Sequence, residues 1–177
     1  AVRPPHGGPG AGFCPGTACR PGGREWPLLP YSPVRTLSQA TPSWTGTELI
    51  WWGRDMTGGP NHAAAFDLQR QRWRQLPVGP LHGREDPVVV WTGTEMLVYG
   101  GYPLDADPNE GAAYNPATNV WRALPPSGLT ERELGATVWT GKLLVVWSGE
   151  GAGNGPPAPS DGAAYNPTTR AWRILPR

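Results

Sequence analysis

Three stretches of the chain read almost alike: WTGTEL at 44–49, WTGTEM at 91–96 and WTGKLL at 139–144, spaced 47 and 48 residues apart. Each sets a Trp before a turn, because glycine takes positive φ freely and so suits a tight hairpin. A second signal keeps the same period: FDLQRQRW at 66–73, YNPATNVW at 114–121 and YNPTTRAW at 165–172. In each, an aromatic residue (Phe66, Tyr114, Tyr165) stands seven positions before a Trp (Trp73, Trp121, Trp172), and RQLP, RALP or RILP follows. One more copy of this ending, REWPLLP at 24–30, sets Trp26 47 residues before Trp73. The chain therefore holds three full repeats and the tail end of a fourth, and periods of this length mark repeat architectures.

Each repeat divides into four short strands. In the second, PVVVW (87–91) is a near-continuous apolar run, which predicts a strand buried on both faces. EMLVYGG (95–101) is the second strand, ending at Gly100 and Gly101, where glycine allows close backbone approach. A polar loop, YPLDADPNE (102–110), leads to GAAYN (111–115), a turn at Pro116, Ala117 and Thr118, and VWRAL (120–124). The 25 Gly and 23 Pro interrupt every window that could carry a helical apolar period, so the chain reads as all-β. Ten Trp supply large apolar areas in a chain that is only 38% hydrophobic, with a mean hydropathy of −0.44. The expected organisation is a Gly/Pro-rich tail or linker over 1–23, an orphan outer strand over 24–31, and repeats over 32–79, 80–126 and 127–177.

This pattern resembles the kelch repeats of β-propellers of the galactose-oxidase central-domain type. That family carries an Arg near the first strand, a Gly-Gly ending the second, a Tyr on the third and a Trp shortly beyond. Arg84 and Arg132 stand seven residues before Trp91 and Trp139, Gly100–Gly101 supply the doublet, and Tyr114/Trp121, Tyr165/Trp172 and Phe66/Trp73 supply the aromatic pairs. The match covers roughly 24–177, with Gly53–Arg54 and Ser148–Gly149 departing from the doublet and Arg35 lying nine residues before Trp44. The resemblance implies a partial ring of three four-stranded blades plus one extra strand, in which each blade covers its neighbour. An open arc leaves apolar blade faces exposed. It is expected either to be part of a longer propeller or to close a six-bladed ring as a homodimer.

The resemblance also points to the charged corners GRED (83–86) and TERE (130–133), near the mouth of a kelch channel. Arg84, Glu85, Arg132 and Glu133 are candidate ligand-binding residues there, since Arg forks pair bidentately with carboxylates. The same arginines could instead pair with local Glu or cap backbone carbonyls. Arg54, Asp55 and Tyr102 join the candidates from the loops between second and third strands, at 55–61, 102–110 and 150–161, which vary while the framework repeats. LDADPNEG (104–111) has the alternate acids that open a calcium loop, but its glycine falls one place late and Pro116 stands where the bidentate Glu belongs, so a solvated loop is expected. No metal, cofactor or catalytic residue is assigned. Copper oxidation on a kelch ring would need converging His and Tyr ligands and a Tyr–Cys pair, whereas Cys14 and Cys19 both lie in the tail.

A net charge of +1 with no basic stripe argues against a nucleic-acid partner. No apolar run approaches the ~18–20 residues of a membrane span. Lys142 is the only Lys among 15 basic residues, a skew expected of a bacterial, high-GC genome. Cys14 and Cys19 either close a local disulfide, which fits a secreted, periplasmic or cell-surface setting, or are two exposed thiols. The functional expectation is a binding or scaffold module that recognises a protein or carbohydrate through one loop face. The alternatives are a sugar-active enzyme similar to kelch-type sialic-acid mutarotases, or a fragment with no function alone.

Overall fold

The computed structural model describes residues 28–34, 37–55, 61–103, 111–129, 132–133, 135–151 and 160–176, with backbone alone for 37–39, 54–55, 102–103, 132–133 and 150–151. The chain divides into two compact units, Ala1–Tyr31 and Ser32–Arg177. Of the first unit only 28–31 are described; they are exposed and lie outside regular structure. The rest of the orphan strand expected over 24–31 falls outside the described residues, as do Trp26, both cysteines and the 104–110 loop.

The second unit is all-β, with three antiparallel four-stranded sheets and no helix among the described residues. In particular, no described helix is long and apolar enough to cross a membrane. The first sheet runs in order β1 (Leu37–Trp44), β2 (Glu48–Asp55), β3 (His62–Asp67), β4 (Arg72–Gln75). Between it and the second sheet comes β5 (Arg84–Glu85). The second sheet is β6 (Val88–Trp91), β7 (Met96–Tyr99), β9 (Gly111–Asn115), β10 (Val120–Ala123), with β8 (Tyr102–Pro103) paired to β5. The third is β12 (Ala136–Trp139), β13 (Leu144–Trp147), β15 (Gly162–Asn166), β16 (Ala171–Ile174), with β11 (Arg132–Glu133) paired to β14 (Glu150–Gly151). Such an arrangement is consistent with part of a propeller-like β fold.

Side chains alternate across each strand, so every sheet has two faces to cover. Ile50, Trp52, Ala63 and Ala65 of the first sheet pack on Met96, Val98, Ala112 and Tyr114 of the second. The opposite face of the second sheet, Leu97, Tyr99 and Ala113, packs on Leu144, Val146 and Tyr165 of the third. Alanines on the third strands (Ala63–Ala65, Ala112–Ala113, Ala163–Ala164) leave room for the larger side chains opposite. Asn61, buried just before β3, donates its side-chain amide to the carbonyl of Leu81 and so ties the first sheet to the segment entering the second. The first strands β1 and β6 of neighbouring sheets also lie side by side.

Three expectations need correcting. PVVVW is half-buried along all of β6, whereas β7 is buried throughout. The reason is position: β6 is an edge strand, while β7 lies between β6 and β9. Second, the segments taken as loops at 102 and 150 begin as strands. Arg84 pairs with Pro103 and Val88 with Tyr99, and Arg132 pairs with Gly151 and Ala136 with Trp147, so each hairpin resumes in unchanged register after a short break. In the first sheet the same extension is continuous, with a bulge between Ser38 and Thr41. Third, the two outer faces are not open to the same degree. Val138 (56%) and Trp147 (36%) are exposed on the third sheet, whereas on the far side of the first Trp44 (47%) is exposed but Ala64 and Phe66 are buried. Phe66 packs against Trp73 at 4.9 Å, and Trp73 against Trp51 at 5.4 Å.

A large residue faces a small one across the same rung of each sheet. Tyr99 faces Gly111, Trp147 faces Gly162, and in the first sheet Trp52 faces Ala63. A Cβ on Gly162 would sit 2.5 Å from both Cε3 of Trp147 and the carbonyl oxygen of Val146. Gly162→Ala is therefore expected to destabilise the unit by about 1–3 kcal/mol through overpacking, read as a lower urea midpoint with an unchanged m-value. Full wild-type stability in that variant would refute this packing account.

Candidate functional site

The candidate residues chosen for their charge lie where the hairpins resume. Arg84 and Glu85 form β5, with Glu85 opposite Tyr102; Arg132 and Glu133 form β11; Arg54 and Asp55 end β2, which packs beside β5. The fold thus gathers Arg84, Glu85 and Tyr102 on one ribbon, brings β2 next to it, and puts Arg132 and Glu133 at the matching place in the third sheet. The side chains of Arg54, Asp55, Tyr102, Arg132 and Glu133 lie outside the described residues. Arg84 is only 3% exposed, and its Nη1 donates to the carbonyl of Gly100 at 2.9 Å. Gly100 and Gly101 take φ of +66° and +79°, and a Cβ on Gly101 would lie 2.4 Å from the carbonyl oxygen of Glu85. Both glycines and Arg84 thus hold the break in the ladder. Beside them, Asp86, Tyr99, Gly101 and Thr137 line a space of about 30 Å³, which admits water and nothing larger.

The repeated turns occupy the opposite end of each sheet. Thr45, Thr92 and Thr140 each accept at Oγ1 from the backbone N–H three residues on, at 2.9 Å, and donate back to the carbonyl of that residue. The glycines between take φ of +101°, +99° and +88° at Gly46, Gly93 and Gly141, which explains the Trp-Thr-Gly signature. At the neighbouring turn, Asp67, Asn115 and Asn166 accept from the N–H groups two residues on at 2.9 Å, forming Asx-turns. The Asp67 carboxyl is held below its usual value, chiefly by the backbone N–H of Arg70 and then by that residue's guanidinium.

Between these turns a charged relay crosses each sheet-to-sheet contact. Arg74 grips Glu48 with Nε and Nη2 at 2.8 and 2.6 Å, and its Nη1 donates to the Tyr114 hydroxyl of the next sheet at 2.9 Å. Tyr114 donates to Asn119 at 2.7 Å. Arg122 repeats the arrangement with Glu95 (3.3 and 2.6 Å) and the Tyr165 hydroxyl (3.0 Å). The bond to Glu48 raises the pKa of Arg74; for Arg122 burial opposes the charge, but the bonds to Glu95 and Tyr165 outweigh it. Trp121 and Trp172 then fasten the same contacts by donating Nε1 to the carbonyls of Pro77 and Pro125 at 2.9 Å, so the repeated Leu-Pro is a docking point for the next Trp.

The second and third sheets enclose a groove of about 650 Å³ at this turn end. Its walls include Trp139, Asn115, Asn166, Glu95, Lys142 and Arg170. None of these was singled out for binding from the sequence. The signal that could have found two of them is a break in the repeat. Lys142 stands where the other copies have Thr47 and Thr94, and Arg170 where they have Gln71 and Asn119. No protein-family model matches the chain, and no curated protein matches it significantly.

Two outcomes test the relay. Replacing Arg122 by Gln leaves the part-buried Glu95 without its two-point partner, which is expected to cost about 2–3 kcal/mol in urea unfolding. Burial raises the pKa of Tyr114, more than the facing Arg74 lowers it. Its contribution is thus fully present below the unfolded value of about 10 and is lost as pH rises through the folded value. The Tyr114→Phe variant should lose less stability than wild type between pH 9 and the alkaline end of the titration; parallel losses would contradict the assignment.

Proposed function

We propose that the chain is a kelch-type portion of a β-propeller that serves as a binding module, and that it takes a carbohydrate in the groove between the second and third sheets. One observation carries this reading: a half-buried indole, Trp139, forms a wall of an open groove whose other walls include amide, hydroxyl and charged side chains. An aromatic face carries negative charge density, which suits the polarised C–H groups of a sugar ring. The side-chain oxygens of Asn115 and Asn166 are occupied by their own turns, which leaves both amide NH₂ groups as donors for hydroxyls. The groove's volume also lies within the ~300–1,000 Å³ range of small-ligand sites.

This binding end is opposite the one that the charged corners first indicate. The mutarotase-like reading draws no comparable support, because Arg84 is buried and its Nη1 is turned to the Gly100 carbonyl. A protein-binding scaffold working through the loops between second and third strands is the competing module, and it separates cleanly in experiment. Titrating the chain with a panel of oligosaccharides, followed by the indole N–H signals in NMR, should move the Trp139 signal, identified by its loss in Trp139→Phe. If no glycan in the panel shifts that signal, the carbohydrate reading fails.

A further inference from the structure

We infer that the groove selects an acidic carbohydrate, a chain whose sugar rings carry carboxylates; this rests on the carbohydrate reading above. Three observations lead there. First, the two cations that line the groove, Lys142 and Arg170, are exposed and have no hydrogen-bond or ion-pair partner for their side chains among the described residues. Second, the acid in the lining is already neutralised, since Glu95 is held at two points by Arg122. The groove is therefore left with two uncommitted positive charges beside an aromatic wall. Arg offers a planar fork that matches a carboxylate, and Lys a mobile point charge that reaches a second one.

Third, the preceding sheet-to-sheet contact supplies an internal control. At the matching positions between the first and second sheets stand Thr94 and Asn119. Asn119 there is part of the relay, accepting from Tyr114 at 2.7 Å and from Arg74 at 3.3 Å. Exchanging it for Arg170 removes that acceptor and puts a cation at the rim. Backbone preference does not explain the exchange. Residue 170 has φ of +54°, where Asn is tolerated better than Arg. Cations have thus been placed at this one groove on a scaffold that works without them next door.

The test uses the whole chain and the double variant Lys142→Thr/Arg170→Asn, which installs the residues that the neighbouring turns already accommodate. Titration calorimetry with tetragalacturonate and with maltotetraose, at low and moderate salt, reads the selectivity. Tetragalacturonate should bind wild type more tightly and weaken with salt, and the double variant should lose at least tenfold in affinity for it, while far-ultraviolet circular dichroism and urea midpoint stay close to wild type. Equal binding of both sugars by wild type and variant would overturn the acidic specificity and leave the carbohydrate site standing. Tetragalacturonate binding that is unchanged in the variant would overturn the assignment to Lys142 and Arg170. Binding of neither sugar, with the Trp139 signal unmoved, would overturn both readings.

Discussion

A β-sheet of four short strands has two apolar faces and cannot hide both by itself. The stacking of one such sheet on the next, with side chains alternating between the two contacts, is the constraint that the rest of the second unit obeys. Met96 and Val98 serve one contact of β7, and Leu97 and Tyr99 serve the other. No residue in that strand is available for solvent, which is why it is apolar throughout while the edge strand beside it is only half-buried. A one-residue slip in register would exchange the two faces and present each contact with the wrong side chains. The turns that hold register are correspondingly repeated almost letter for letter.

The polar relay gives each contact direction. Glu48 and Arg74, or Glu95 and Arg122, form a pair on one sheet, and the tyrosine hydroxyl on the next sheet receives the remaining guanidinium N–H. Removing these charges from water is unfavourable unless the geometry satisfies both partners. Two-point contact does so. The ends of the series differ accordingly. Leu143 replaces the glutamate on the third sheet, where Arg173 is exposed, and Phe66 replaces the tyrosine on the first. Each unrelayed face thus lacks the group that would otherwise be left unsatisfied.

The proposed binding site lies where the repetition is broken. Positions shared by all copies answer to packing and to turn geometry: Thr-Gly for the first hairpin, Asx-turns for the second, Leu-Pro as the acceptor for a Trp. Lys142 and Arg170 answer to neither, and both border the same groove. The charged corners are a contrasting case. Arg84 looks like a ligand-binding residue in a list of residues, yet its side chain serves the backbone where two glycines interrupt the ladder.

The sequence by itself determined the period, the all-β character, the places of the hairpin turns and the pairing of aromatic residues with tryptophans, because these depend on neighbours within a few residues. Alternation, Gly at positive φ and Pro at chain reversals are local properties. The tertiary structure alone decided which strand is an edge, where the hairpins resume beyond Gly101 and Gly149, and that Arg74 and Arg122 reach tyrosines more than forty residues away. It also brought Trp139 and Asn115 into one groove. Their juxtaposition depends on two sheets stacking, a contact that no window of the sequence contains.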